Sequence, residues 1–125
     1  MEKIKSFQDL KIWQEGHALT LEIFKLCKDF PKEEQFGLIS QLKRSSSSVP
    51  ANIAEGMGRN TKKEFLNFLY ITRGSAQETI YHLILSKDLK YLDEIIFNNL
   101  SYRYNGLSVA INKLINILKS QSLNN

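Results

Sequence analysis

Apolar side chains recur every three or four positions along almost the whole chain, and only three short stretches break the pattern. A repeat near 3.6 residues puts those side chains on one face of a helix, whereas a half-buried strand needs strict alternation. The breaks are Phe30-Pro31, the run Gly56-Met57-Gly58-Arg59-Asn60, and the stretch between Lys87 and Asp93. They leave four amphipathic segments with short connections and no segment that reads as a strand. That pattern predicts an all-α fold, an antiparallel up-down-up-down four-helix bundle forming one domain over residues 1–125.

Local signals set the expected boundaries. Helix 1 is expected over about 7–28, with Ser6 as N-cap and Asp9 in the first turn, where the helix dipole favours an anion. Phe30-Pro31 ends it, because a residue before proline is pushed out of the α region. Helix 2 is expected over about 35–57 and stops where Gly56, Gly58 and Asn60 offer left-handed positions. Pro50 lies inside this span and should kink the helix without ending it. Helix 3 opens with the capping box Thr61-Lys62-Lys63-Glu64 and covers about 61–87. Helix 4 covers about 93–119, with Leu92 and Phe97 as a staple around the Asp93 cap. The tail Ser120 to Asn125 is expected to fray.

The core seams follow. Helix 1 offers Leu10, Trp13, His17, Leu21 and Phe24; helix 2 offers Leu38, Leu42, Val49 and Ile53. Helix 3 offers Phe65, Leu69, Thr72, Ala76 and Leu83; helix 4 offers Ile96, Leu100, Leu107, Ile111, Leu114 and Leu118. Helix 1 has a second stripe, Ile12, Leu19, Ile23, Leu26 and Phe30, and helix 3 adds Leu66, Tyr70, Ile84 and Leu85. These stripes either widen the core or meet another subunit, since large exposed apolar patches are rare on monomers. A hairpin turning near Arg59-Asn60 sets Gly74-Ser75-Ala76 level with Ser45-Ser46. Gly74 then permits close approach of the backbones, and Arg44 forms a partly buried pair with Glu78.

Charge is placed unevenly. The chain carries a net +4, yet residues 36–73 alone hold Lys43, Arg44, Arg59, Lys62, Lys63 and Arg73 against Glu55 and Glu64. Residues 101–125 hold Arg103, Lys113 and Lys119 with no acid. Such placement favours an anionic partner. The single Cys27 excludes an intrachain disulfide, reads as a packed thiol, and fits a reducing compartment. Met1 to Ser6 lack the apolar stretch of a signal peptide, and no run approaches the roughly 20 apolar residues of a membrane helix. A cytoplasmic protein without membrane contact is therefore expected.

The chemistry-bearing residues do not assemble a catalytic, metal or cofactor site. Di-iron bundles need Glu-x-x-His on two helices, whereas Glu78 and His82 stand alone. His17 shares a face with Trp13 and Leu21 and reads as a core or boundary residue. Gly56 to Asn60 lacks the Gly-Lys-Ser/Thr ending of a phosphate loop. Asn52 and Glu55 are expected to hold groups freed around Pro50 rather than to act on a substrate. The basic residues Lys43, Arg44, Arg59, Lys62, Lys63 and Arg73 are either a solvated surface or a phosphate-binding patch. In the second case RNA binding is backbone-directed and salt-sensitive.

Several segments carry a resemblance. Gln41-Leu42-Lys43-Arg44 and Val49-Pro50-Ala51-Asn52-Ile53-Ala54-Glu55-Gly56 lie between Phe7-Gln8-Asp9-Leu10-Lys11-Ile12-Trp13-Gln14, Phe30-Pro31-Lys32-Glu33-Glu34 and Gly74-Ser75-Ala76-Gln77-Glu78. Over residues 6–118 they resemble the four-helix-bundle family encoded in intervening sequences of bacterial 23S rRNA genes. The chain is similar in the same way to the accessory variability protein of diversity-generating retroelements, a basic pentameric bundle that contacts nucleic acid and a reverse transcriptase. The resemblance implies a ring-like homopentamer with RNA or a protein as partner. It also marks Pro50, Asn52, Glu55, Gly56, Gly74 and Glu78 as structural motif positions. The run Ser45-Ser46-Ser47-Ser48 departs from the alanines common in relatives.

Overall fold

A computed structural model describes residues 4–122. Four helices follow one another: α1 (Lys11–Cys27), α2 (Leu38–Met57), α3 (Lys62–Asp88) and α4 (Glu94–Ser122). Each packs on its sequence neighbour, and α4 closes back on α1, so the bundle is all-α with no strand among the described residues. Its centre is Leu19, Ile23, Leu42, Val49, Ile53, Leu69, Ala76, Leu83, Tyr104 and Ile111, all without exposed surface.

Helix 1 is shorter than its pattern suggests. Ser6 caps a single 3-10 turn, Phe7–Asp9, and Leu10 is extended (φ −77°, ψ 129°) before α1 begins. The break lets Phe7 fold onto the edge of Trp13 at 5.3 Å, while Gln14 Nε2 donates to the Gln8 carbonyl at 2.8 Å. Helix 2 also starts late. Lys32–Glu34 form a second 3-10 turn, and Glu34 Oε1 accepts from the Leu38 amide at 3.2 Å, capping α2 from outside. Tyr91 donates to the other Glu34 oxygen at 2.9 Å, which ties the α1–α2 and α3–α4 links together. Thr61 caps α3 by accepting from the Glu64 amide, and Asp93 accepts from the Ile96 amide ahead of α4. The expected fraying from Ser120 does not occur as far as Ser122; Leu123 to Asn125, like Met1 to Lys3, lie outside the described residues.

α1 buries mainly the second of its two apolar stripes, while Leu10 and Trp13 of the expected seam pack half-buried against the core. Ile12, Gly16, Leu19, Thr20, Ile23 and Cys27 are inside, whereas His17 faces solvent, Leu21 is 58% exposed and Phe24 39%. Two apolar stripes compete, and small residues decide between them. A Cβ at Gly16 would stand 3.1 Å from Val49 Cγ1, so Gly16 lets α1 settle closely against α2. The Thr20 hydroxyl, on the same face, stands between two carbonyls and shares its proton with Gly16 at 2.8 Å and Ser46 at 3.0 Å. Pro50 has no N–H to give to Ser46 four positions earlier, so a hydroxyl from the neighbouring helix serves that carbonyl. α2 therefore runs unbroken through Pro50.

The α2–α3 register is one turn away from the expected one. Ser48 meets Ser75 at 2.9 Å, and Thr79 donates to Ser45 at 2.8 Å. The link is asymmetric: Gly58 keeps helical backbone (φ −77°, ψ −7°) while Thr61 is extended (φ −124°, ψ 153°), which displaces α3 along the bundle. No described glycine has positive φ, so α2 does not end on a left-handed glycine. The tight glycine of the hairpin is Gly56, where a Cβ would lie 2.6 Å from Phe68 Cβ. Gly74 points away from α2, and a Cβ there would meet nothing within 4 Å. The only left-handed residue described is Lys90 (φ 70°), which ends α3 in a Schellman turn with bonds from Tyr91 N to Ser86 O and Lys90 N to Lys87 O.

Candidate nucleic-acid interface

The six basic residues of the expected patch do not share one face. Lys43 and Arg44 are successive on α2 and so about 100° apart around its axis. Lys43 turns toward α1, its ammonium 5.1 Å from the Phe24 ring centre. Arg44 turns toward α3, where it pairs with Glu78 and donates to Gln41 Oε1 at 2.8 Å. Arg44 is exposed, at 55% of its side chain, and Glu78 is half-buried, at 36%. Arg73 reaches across to α4, donating to Asn112 Oδ1 at 3.0 Å with its guanidinium 5.2 Å from the Tyr70 ring centre. It stands about 16 Å along α3 from Lys62.

Arg59, Lys62 and Lys63 do come together, around the α2–α3 link. All three are exposed. Arg59 lies 3.5 Å from Glu55 Oε1 and packs over Phe68 at 4.9 Å, so Glu55 holds Arg59 and not the backbone near Pro50. Asn52 Nδ2 donates to the Ser48 carbonyl at 2.8 Å and to its hydroxyl at 2.9 Å. Lys62 and Lys63 project from the first turn of α3, whose free N–H groups make that end electropositive.

Glu78 is shared. His82 Nε2 lies 3.2 Å from its Oε2, opposite Arg44. Partial burial works against the charge on Glu78, but the hydrogen bonds from His82 and Arg44 outweigh it and hold the carboxyl below its ordinary range. Among the described residues no three His, Cys, Asp or Glu side chains converge as a metal site. Burial pushes the Cys27 thiol up to about 11, against a smaller opposing pull from Lys43, which leaves it protonated and inert at neutral pH.

One strong polar cluster lies outside the residues that the sequence pattern singled out. Arg103 of α4 is clamped by Glu15 at 3.0 and 3.2 Å and by Glu22, both on α1. The hydrogen bond to Glu15 is the largest influence on its guanidinium and, with Glu22, raises its already high pKa against the opposing pull of burial. Arg103 therefore adds nothing to a free basic surface. Glu15 and Glu22 sit two turns apart on one face of α1, and that spacing is the one signal from which the clamp could be found.

Residues 8–113 match the model of the family described as 23S rRNA-intervening sequence protein. The chain belongs to this family. No curated protein matches the chain. Among solved structures, an S23 ribosomal protein family member of unknown function from Bacteroides thetaiotaomicron superposes with a TM-score of 0.78. The overlay covers 84% of this chain and 95% of that one at 24% identity, so it speaks to the fold alone. The 23S rRNA-intervening sequence protein match covers α1, α2, the basic α2–α3 link, α3 and α4 as far as Lys113. No helix among the described residues is long and apolar enough to cross a membrane.

Proposed function

We propose that this chain is a non-enzymatic, self-associating cytoplasmic scaffold that binds RNA through backbone phosphates at the α2–α3 end of the bundle. The observation that carries this reading is the pair of exposed lysines, Lys62 and Lys63, in the first turn of a 27-residue helix, with the Glu55-bound Arg59 beside them. Neither lysine has an acidic partner among the described residues. Lys43, Arg44 and Arg73 are held by neighbours and are secondary contacts at most. In a symmetric ring, such as the homopentamer that the resemblance implies, the small clusters would repeat around the axis and their phosphate contacts would add.

The test is anisotropy of a labelled RNA hairpin titrated with protein across a salt series. Affinity should fall steeply with salt, and Lys62→Glu/Lys63→Glu should flatten the log–log slope by about 0.7–0.9 for each phosphate that the variant no longer neutralises. Unchanged binding in the double variant would reject this patch. The second reading is a protein-interaction scaffold without an RNA role. It is favoured by the exposed apolar side chains Phe36, Ile95 and Tyr102. Nucleic acid carried through purification and released by high salt supports RNA; protein free of nucleic acid at low salt supports the second reading.

A further inference from the structure

A small hollow of about 230 Å³ lies where the end of α1, the α1–α2 link and the first turns of α2 meet. Buried Cys27 and Phe30 and half-buried Ile39 give it an apolar floor, and Lys28, Lys32 and Lys43 line it as well. No acidic residue lines it. The link itself holds Asp29, Glu33 and Glu34 against Lys28 and Lys32, so position decides the local charge. Asp29 lines a different hollow, against α4. Glu34 is engaged by the Leu38 amide and the Tyr91 hydroxyl, and Glu33 adds its charge on the Tyr91 side of the link.

Lys43 is the telling residue. It is half-buried, and its ammonium stands 5.1 Å from the Phe24 ring centre. Like Lys28 and Lys32, it has no acidic partner among the described residues. A cation drawn partly out of water without a counter-ion costs free energy, and a ring face offsets only part of that cost. The nearby Cys27 thiol does not supply the missing charge, because burial keeps it protonated against the pull of Lys43. Three lysines thus share one concavity with no carboxylate of the chain to balance them.

We propose that this hollow binds the terminal phosphate of an RNA strand. A phosphate monoester carries about −1.5 to −2 near neutral pH, more than the single charge of an internal phosphodiester. It also protrudes from the end of the strand, which suits a concave site, and lysines bind phosphate as point charges. The proposal rests on the RNA reading above and adds a second, end-specific site to it. Lys43 stands about 22 Å along α2 from Gly58, so it is at most a secondary contact for RNA held at the α2–α3 link but central to this site.

Competition anisotropy tests it, with short single-stranded RNAs that differ only at their ends: hydroxyls at both, a 5′-phosphate, or a 3′-phosphate. A hydroxyl-ended RNA longer by a single nucleotide controls for added charge. A phosphorylated end should tighten binding at least about tenfold, the least expected of one charge-assisted hydrogen bond, and the longer control should not. Lys28→Gln/Lys32→Gln and Lys43→Met should each abolish that preference, with circular dichroism as the folding check. Lys28 and Lys32 are exposed, and methionine keeps an unbranched side chain beside Phe24. Lys62→Glu/Lys63→Glu should weaken all the RNAs alike and keep the preference. Equal binding of phosphate-ended and hydroxyl-ended RNAs by the parent overturns the end site and leaves the RNA reading standing. A preference that survives in either folded hollow variant does the same. A parent that binds none of the RNAs rejects the RNA reading itself. Calorimetry with adenosine 5′-monophosphate and adenosine then decides the hollow: preference for the monophosphate keeps its phosphate chemistry and overturns RNA as the source, and no preference overturns the site altogether.

Discussion

Replacing Thr20 with valine isolates the device that carries α2 through its proline. Valine keeps the branched shape but removes the hydroxyl, which faces the Ser46 carbonyl at 3.0 Å in a site 8% exposed. Pro50 withholds the N–H that would otherwise serve that carbonyl, so Thr20→Val leaves a buried acceptor unpaired. Such a group costs about 1–3 kcal/mol. In a Pro50→Ala background the alanine N–H restores the intrahelical donor, and the same Thr20→Val change should cost about 0.5 kcal/mol or less. The double-mutant cycle should thus show a coupling of about 1–2 kcal/mol, whatever Pro50→Ala does alone. Urea unfolding followed by circular dichroism reads all four proteins, provided the slopes agree. Equal costs of Thr20→Val in the two backgrounds, within about 0.5 kcal/mol, would refute the link between this hydroxyl and the proline.

Two glycine substitutions should move stability in opposite directions. Gly56→Ala forces a Cβ to 2.6 Å from Phe68 Cβ and should cost about 1–3 kcal/mol, whereas Gly74→Ala meets nothing and should add up to about 1 kcal/mol; thermal melts compare them. Lys90 holds a left-handed backbone at φ 70°, so Lys90→Gly should stabilise by about 1 kcal/mol in chemical denaturation. Because the Glu78 carboxyl is depressed on folding, its contribution is present above the ordinary carboxylate pKa of about 4.3 and disappears as pH falls through the lower folded value. Glu78→Gln should therefore lower stability at pH 7 and flatten the acid limb below about pH 5, read as the denaturation midpoint against pH.

The number and order of helices were legible because periodicity and punctuation are local. Thr61 and Asp93 cap α3 and α4 as their residue types suggest, and Pro31 lies just beyond the end of α1. The buried face of α1 was not legible from apolar content. Leu21 and Phe24 are as oily as Leu19 and Ile23, and both stripes have helical spacing. Gly16 and Thr20, small enough for α2 to approach, carried the discriminating signal. The candidate site divides in the same way. Its basic residues are evident in the chain, but which of them remain available depends on partners distant in sequence. Arg44 is taken by Glu78, Arg73 by Asn112 and Arg103 by Glu15 and Glu22, which leaves Lys62 and Lys63 beside Arg59.

By itself, the order of residues determined four amphipathic helices, their approximate ends and a basic excess, since each depends on neighbours a few positions away. Only the tertiary structure decided which stripe of α1 turns inward, the one-turn offset between α2 and α3, and which cations keep their charge free. Those outcomes depend on the closest approach of two helix surfaces, and for α1 and α2 that distance is set by Gly16 and Thr20 on one helix and Pro50 on the other.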